Sequence, residues 1–168
     1  MSTFANRGMA FEAAITYTNE QYEMKGVANI KKVSTPWKVI RKGKKIVNAF
    51  PEGPSTVDYM GDWNGQSICF EAKSTKNPTS FPFSNFEEHQ IEFIRHWKGI
   101  GFALIHFESW DKTYLLEKED LLEKWDAQFE GGRKSIPYEW FGKNAPLVKQ
   151  GCYMLDYLGA LKDTVKAV

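Results

Sequence analysis

Two carboxylates and a lysine lie close together in the sequence on either side of a predicted hairpin turn. Asp58 stands at the start of one short run of strand-forming residues, and Glu71 and Lys73 end the next run. Between the runs lies Asp62-Trp-Asn-Gly65, whose Asn-Gly pair tolerates the positive φ angles of tight hairpin turns. Because residues two apart on a strand point to the same face, a hairpin would gather these three charges at one edge.

This combination of charges is typical of a divalent metal site. Magnesium prefers oxygen ligands and is often held by one or two carboxylates together with water and substrate phosphate. A lysine beside such an ion stabilises the charge that develops on a phosphate under attack. The pattern therefore predicts metal-assisted phosphodiester hydrolysis with Asp58, Glu71 and Lys73 as catalytic residues. A structural ion pair is the alternative, because Glu-x-Lys is common on surface strands.

Other catalytic chemistries find less support in the sequence. The three histidines, His89, His96 and His106, lack the close spacing of a zinc motif. No serine or cysteine stands in a nucleophile elbow, and there is no glycine-rich phosphate loop. Cys69 and Cys152 are far apart, which gives no disulfide framework and fits a reducing compartment. Nuclease chemistry is the enzyme hypothesis that remains.

A run of basic residues precedes the predicted hairpin. Residues 31–49 contain no acidic residue, although the formal net charge of the whole chain is only +1. Four basic side chains cluster around Gly43, namely Arg41, Lys42, Lys44 and Lys45. A projection of one sign suits contact with a phosphate backbone, whereas a solvated turn is the alternative that the charges leave open.

Hydrophobic periodicity predicts the elements that must position these residues. Helical patterns occupy four segments: 6–25, about 86–98, 117–129 and 152–168. Strand patterns occupy the others: 27–50, the hairpin 56–73, 102–107 and 114–116. Asn85 is expected to cap the second helix, and residues 135–150 are expected to form a loop. This order of elements predicts an α/β fold with a central sheet flanked by helices.

Length and composition indicate the class of protein. A chain of 168 residues with 42% apolar and 26% charged residues fits one globular domain over residues 1–168. The sequence contains no apolar run long enough to cross a membrane, and its N-terminus lacks the apolar core of a signal peptide. These features exclude membrane-spanning and disulfide-rich secreted classes, and a cytoplasmic location is expected.

Several motifs, in order along the chain, resemble those of one nuclease family. They are Asn6-Arg-Gly-Met9 with Glu12, Ser55-Thr56-x-Asp58-Tyr59-x-Gly61, Phe70-Glu-Ala-Lys73, Thr75-Lys76-Asn77, Thr79-Ser-Phe-Pro82, Asn85-Phe86 and His89-Gln90. This series looks like that of RecU-type Holliday-junction resolvases, which belong to the PD-(D/E)xK nucleases of the restriction-endonuclease-like fold. This chain departs from the family's usual pattern in two respects, since it starts almost directly at Asn6-Arg-Gly and its 36–54 segment is shorter and differently composed. Both departures are expected of a compact, phage-encoded member.

The resemblance implies a homodimeric endonuclease that cuts four-way DNA junctions by symmetric paired nicks in recombination and repair. It implies dependence on Mg²⁺, with Mn²⁺ able to substitute. By similarity, the metal-site positions are Thr56, Asp58, Glu71 and Gln90, and Lys73 stabilises the transition state. Glu12, on the first helix, would contact the metal ligands without binding the metal itself.

The same resemblance implies a mixed central sheet with a projecting β stalk at about residues 34–54. The stalk would enter the branch point and contact DNA backbone through its basic residues, Arg41, Lys42, Lys44 and Lys45. Arg7 and Lys76 are further candidate phosphate contacts. Two alternatives remain open: a nuclease for flap, nicked or duplex DNA, and a non-catalytic module that binds junctions and modulates recombination.

Overall fold

The fold alternates short strands with five helices in the described part of the chain. The computed structural model describes residues 4–34, 37–51, 53 and 56–165, with the backbone alone for 4–7, 51 and 163–165. In chain order the elements are α1 (Phe4–Met24), β1 (Ala28–Lys32), β2 (Trp37–Lys42), β3 (Lys45–Pro51), β4 (Tyr59–Trp63), β5 (Gln66–Thr75), β6 (Ser80–Pro82), α2 (Glu88–His96), β7 (Ile100–Phe107), β8 (Lys112–Glu117), α3 (Lys118–Ala127), β9 (Ser135–Pro137), α4 (Tyr138–Asn144), β10 (Leu147–Val148) and α5 (Tyr157–Val165). Among the described helices, none combines the length and apolar content that crossing a membrane requires.

A mixed sheet of six strands forms the centre of the molecule. Its strand order is β1-β4-β5-β7-β8-β10. The two middle strands, β5 and β7, run parallel and are connected through α2, and each other neighbouring pair is antiparallel. The predicted α/β architecture, a central mixed sheet flanked by helices, is confirmed, and it is consistent with a restriction-endonuclease-like fold.

Helices cover both faces of this sheet. Apolar side chains of α1 and α5, among them Ile15 and Leu158, pack on one face. Ile94 of α2, Leu121 of α3 and Phe141 of α4 pack on the opposite face. Because successive side chains of a strand point to opposite faces, β5 and β7 contribute to both layers. The continuous apolar run that predicted a doubly buried strand is thus β7.

The β4–β5 hairpin turns where the sequence predicted. Asn64 and Gly65 have φ angles of 52° and 76°, the left-handed region that this pair tolerates. Gly61 of β4 lies so close to β1 that an added Cβ would stand 2.0 Å from the carbonyl oxygen of Asn29. The side chain is therefore excluded here, and this close approach fixes β1 against the hairpin.

The segment with the basic run forms a separate two-stranded sheet of β2 and β3. Its turn contains Gly43, with a φ of 63°. All described side chains from Trp37 to Phe50 are exposed, including large apolar ones such as Trp37 and Val47. The strands predicted for this segment are confirmed, and they form a hairpin with the basic residues around its turn, whereas its role as a stalk stays a prediction.

Two local predictions were wrong. The helix α2 is capped by Glu87 and not by Asn85, because residues 83–85 form a 3₁₀ turn before it. The segment 135–150 is not a loop but contains β9, α4 and β10. Helix α4 has seven residues, about two turns, so its apolar periodicity is too short to be distinguished from a loop pattern.

Candidate active site

Asp58 and Glu71 lie side by side where β4 begins. The hairpin pairs Tyr59 with Phe70, so the next pair along the two strands is Asp58 and Glu71. The backbone N–H of Asp58 donates to Oε2 of Glu71 at 3.0 Å, and the N–H of Ala72 donates to Oδ2 of Asp58 at 3.1 Å. The two carboxylates are thus held by main-chain donors of the opposite strand.

Glu71 is the centre of a buried polar cluster. Its side chain is fully buried, and Nε2 of Gln90 donates to its Oε1 at 2.6 Å. The ammonium of Lys73 lies 2.9 Å from the same oxygen, with 21% of its side chain exposed. The structure therefore brings together Asp58, Glu71, Lys73 and Gln90 at one point of the sheet surface.

The electrostatics of this cluster favour binding of a cation. Burial raises the pKa of Glu71 to about 7, and the nearby charge of Asp58 adds to the rise, while Lys73 opposes it. A buried carboxylate beside a second carboxylate needs a proton or a positive charge to offset the desolvation and repulsion. Such perturbed carboxylates are a physical marker of functional sites.

Gln90 is oriented by its position in the first turn of α2. The backbone N–H of Glu87 donates to Oε1 of Gln90 at 3.0 Å, which completes a capping box. With its oxygen engaged there, the amide directs Nε2 toward Glu71. The cap of α2 and the orientation of the Glu71 carboxylate are thus set by the same side chain.

The oxygen donors of the cluster fit a hard divalent cation. Oγ1 of Thr56, two residues before Asp58, is buried and has no hydrogen-bond partner among the described residues. A buried hydroxyl of this kind is unfavourable unless something binds it, and a cation would do so. Within the described ranges no three or more His, Cys, Asp or Glu residues are arranged to hold a metal. A magnesium ion bound by the two carboxylates would complete its coordination with further oxygen ligands such as water and phosphate, which is a common arrangement for this ion.

Glu12 reaches the cluster through other residues. Its carboxylate forms an ion pair with Lys32 of β1, and this hydrogen bond raises the pKa of Lys32. Its carbonyl oxygen accepts a hydrogen bond from the Tyr59 hydroxyl at 3.2 Å. Sequence patterns had not singled out Lys32, whose ammonium also feels the charge of Asp58. No spacing rule marks Lys32, because β1 and Asp58 are brought together by strand pairing.

The predicted DNA-contacting residues lie in three places. Lys76 is exposed in the loop that follows β5, three residues beyond Lys73. The basic residues of the β2–β3 hairpin are all exposed around its turn, namely Arg41, Lys42, Lys44 and Lys45. Arg7 lies in the first turns of α1, but its side chain is outside the described part of the structure.

Sequence patterns also missed Trp110, in the turn between β7 and β8. Its indole Nε1 donates to the carbonyl oxygen of Pro78 at 2.8 Å, in the loop that follows β5. The loop after the strand that carries Glu71 and Lys73 is thus fastened to this turn. The available signal was a tryptophan in the polar turn between two apolar runs, a position where large aromatic residues are unusual.

Comparison with known proteins identifies relatives along almost the whole chain. The family model described as Recombination protein U (RecU) matches residues 6–163. Proteins of Bacillus thuringiensis (strain Al Hakam), Bacillus cereus (strain AH820) and Bacillus anthracis (strain CDC 684 / NRRL 3495) are each 39% identical over 173 residues. These alignments cover 97% of this chain and 86% of each relative, and each relative is named Holliday junction resolvase RecU. The matched range contains all residues of the cluster around Glu71.

Proposed function

The chain belongs to the Recombination protein U family, and on this premise we propose that it is a nuclease that resolves four-way DNA junctions. The observation that carries the proposal is the pair formed by the half-buried Asp58 and the fully buried Glu71, with Lys73 2.9 Å from Glu71 at the partly exposed side of the site. The relatives that align with the whole site are named for junction resolution, which supports the choice of substrate.

We propose Mg²⁺ as the cofactor, with Mn²⁺ able to replace it. Thr56, Asp58 and Glu71 would hold the ion, and Gln90 would contribute by orienting the Glu71 carboxylate through its 2.6 Å hydrogen bond. When bound, such an ion polarises a phosphodiester and lowers the pKa of a water molecule. The buried hydroxyl of Thr56 and the raised pKa of Glu71 support this donor set.

The protein's own backbone amides and side chains supply positioning and charge. The amides of Asp58 and Ala72 fix both carboxylates before substrate arrives, so their orientation costs little when substrate binds. Lys73 is partly exposed and paired with Glu71, and from this position it would approach an entering phosphate. Its ammonium would stabilise the additional negative charge of the transition state.

DNA binding would use exposed cations outside this cluster. The β2–β3 hairpin would act as the stalk, with its basic tip against the backbone at the branch point. Lys76, in the loop after β5, would contact a phosphate close to the scissile one. Arg7, at the start of α1, is a further proposed phosphate contact.

We further propose that the active form is a homodimer. A four-way junction in its open form has two-fold symmetry, so paired nicks at symmetric positions require two sites related by a two-fold axis. A monomer carries one Asp58–Glu71 cluster. Two chains would place one such cluster at each of the two strands that are cut.

A cleavage assay on defined substrates tests the proposed function. Labelled four-way junction, linear duplex and flap DNA are incubated with the protein in Mg²⁺, Mn²⁺ or chelator, and the cuts are mapped. We expect paired symmetric nicks in the junction with either ion and none in chelator. Equal cutting of linear duplex at the same salt would indicate a general nuclease instead. Junction binding without cutting in either ion would indicate a non-catalytic junction-binding module.

A further inference from the structure

The turn between β7 and β8 presents a tryptophan that is both half exposed and tightly held. Trp110 is 51% exposed. Its ring stacks on Tyr138 of α4, with the centroids 5.4 Å apart and the planes 23° from parallel. Its Nε1 donates to the carbonyl oxygen of Pro78 at 2.8 Å. An exposed indole would normally sample several rotamers, but these two contacts define its orientation.

The turn is fixed relative to the catalytic strand by a series of hydrogen bonds. The N–H of Glu108 donates to the carbonyl oxygen of Thr75, the last residue of β5, at 2.9 Å. The hydroxyl of Ser109 donates to the carbonyl oxygen of Lys76 at 3.0 Å. Together with the Trp110–Pro78 bond, they join the turn to the β5 loop at three successive points. The exposed part of the indole is thus rigidly placed with respect to β5.

Trp110 lies on the same side of the sheet as the carboxylate cluster. Tyr138, on which Trp110 stacks, packs edge-on against Phe107, with the ring centroids 4.9 Å apart. Phe107 belongs to the layer that contains α2 and α4. Glu71 faces this layer too, because it contacts Gln90 of α2. Thr75 follows Lys73 by two residues on β5, a distance of about 7 Å along the strand. A DNA strand in the site would therefore pass Trp110 within a few nucleotides.

A half-exposed, rigid indole matches the flat face of a nucleobase. Stacking on an aromatic side chain tolerates any base, since every base has a π-face. Bases inside a continuous duplex are already stacked on both sides and offer no free face. At a branch point the stack is interrupted, so a base face becomes available. Two exposed lysines lie in the segments that these hydrogen bonds join: Lys76 in the loop after β5, and Lys112 two residues after Trp110. They would bind the phosphates of the same DNA strand.

We propose that Trp110 is a stacking platform for a nucleobase at the branch point of the bound DNA. The inference rests on the proposed function, because the base is offered by the junction that the site cuts. The platform would favour branched over linear DNA, and it would set how far from the branch point the scissile phosphate lies.

Affinity measurements test the platform directly. In the presence of chelator, so that no strand is cut, Trp110→Ala is expected to weaken junction binding by roughly 5- to 100-fold, the range for loss of one base-stacking contact. Affinity for linear duplex is expected to change by less than about twofold, since no stacked base is lost. Phe129→Ala is the matched control, because Phe129 is also an exposed aromatic residue, 73% exposed, in the 3₁₀ turn that follows α3. Equal junction affinity of Trp110→Ala and wild type would overturn the proposal.

A second variant separates stacking from bracing of the loop. Trp110→Phe removes the hydrogen bond to Pro78 but keeps an aromatic ring, so it is expected to retain most of the junction affinity. A loss as large as that of Trp110→Ala would show that the hydrogen bond to the loop matters and would overturn the platform. Thermal unfolding of both variants shows whether the turn itself is destabilised.

Fluorescence identifies the base. 2-Aminopurine is placed at successive positions around the branch point. At one position, wild type and Trp110→Phe are expected to quench its fluorescence, whereas Trp110→Ala leaves the fluorescence unquenched. Quenching that is the same in all three proteins would overturn the platform. The two proposals fail separately: no cutting of any junction by wild type in Mg²⁺ overturns the proposed function. Cutting by wild type, with unchanged junction affinity in Trp110→Ala, overturns the platform alone.

Discussion

At the scale of the residue, Glu71 carries most of the electrostatic cost of the site. It is fully buried beside Asp58, and its pKa of about 7 reflects that burial. Hydrogen bonds from Asp58 and Gln90 and the ion pair with Lys73 offset part of the cost. A proton can offset the remainder, so protonation and stability are linked at this side chain, and the proposed metal binding would be linked to both.

The first prediction concerns stability and pH in chelator. Because the folded pKa of Glu71, about 7, exceeds the ordinary value of 4.5, the folded state holds the proton more tightly. The contribution of Glu71 to stability is thus full below about pH 4.5 and is lost as pH rises to about 7. Glu71→Gln removes this loss and should raise the free energy of unfolding at about pH 8, by up to roughly 3 kcal/mol.

Urea unfolding of both proteins at acidic and mildly alkaline pH measures this effect. Glu123→Gln is the control, because the Glu123 side chain is 74% exposed and should change the pH dependence little. An identical pH dependence in wild type and Glu71→Gln would contradict the assignment. Glu71→Gln should also be inactive in cleavage, so stability and activity would move in opposite directions.

The second prediction concerns catalysis. Asp58→Ala, Glu71→Ala and Lys73→Ala should each lower junction cleavage on the order of 10²-fold or more, since each removes a ligand or the cation beside the phosphate. Junction affinity in chelator should stay close to that of wild type, because most of the proposed DNA contacts lie outside this cluster. Lys98→Ala, an exposed lysine before β7, is the matched control. Wild-type cleavage by Asp58→Ala in Mg²⁺ would rule out the site.

At the scale of the element, the β4–β5 hairpin positions the two carboxylates and depends on a close approach to β1. The register that pairs Ile30 with Gly61 lets the two backbones approach where a side chain would not fit. This approach keeps β1, and with it Lys32, beside Asp58. A glycine within a strand usually weakens it, and here the gain in packing explains its presence.

The third prediction follows from this contact. Gly61→Ala would place a Cβ 2.0 Å from the carbonyl oxygen of Asn29, so the strands must separate. We expect a loss of stability of roughly 1–3 kcal/mol or more, as for overpacked interiors. Gly142→Ala is the control, because its Cβ meets nothing within 4 Å, and at this exposed position of α4 it should be neutral or stabilising. Thermal or urea unfolding compares the two, and equal stabilities would contradict the close approach.

The fourth prediction concerns the β2–β3 hairpin as a DNA-binding element. If its tip contacts phosphates, Lys44→Ala or Lys45→Ala should weaken junction binding and lower the slope of log affinity against log salt by about one. Lys98→Ala should leave that slope unchanged. Fluorescence anisotropy over a range of salt concentrations provides both values. An unchanged slope in both hairpin variants would assign the basic run to a solvated turn.

At the scale of the whole molecule, the sheet separates two layers with different tasks. In one layer, α1 and α5 are joined by buried contacts such as the hydrogen bond from the Tyr157 hydroxyl to Asn19. These contacts hold the two helices together. The layer of α2, α3 and α4 carries Gln90 and supports Trp110 through Tyr138. The proposed chemistry thus lies where the parallel pair β5–β7 meets the second layer.

The fifth prediction tests the dimer. Sedimentation should give twice the mass of one chain, and mixed dimers of one wild-type and one Asp58→Ala chain should produce junctions with a single nick. The reason is that each site would cut one strand, so one active site cannot complete the pair. Differently tagged chains allow the mixed dimers to be purified. Full resolution by mixed dimers would contradict one site per strand.

The sequence by itself determined the parts of this protein that depend on neighbours along the chain. The Asn64–Gly65 turn and the strand alternation brought Asp58, Glu71 and Lys73 together, since the hairpin that joins them is short and its geometry is local. Periodicity also predicted the central sheet and the helices on its faces. It failed for α4 and for the cap of α2, where two turns or one residue carry too little pattern to be recognised.

The tertiary structure alone decided what depends on residues distant in the chain. The pKa of Glu71 is set by how deeply the sheet and α2 bury it, and no spacing rule gives that depth. Trp110 reaches Pro78 across 32 residues because β5 and β7 run parallel and end together. Local sequence fixes the conformation of each hairpin and helix, whereas burial, desolvation and long-range contacts are properties of the assembled core and appear only after it is packed.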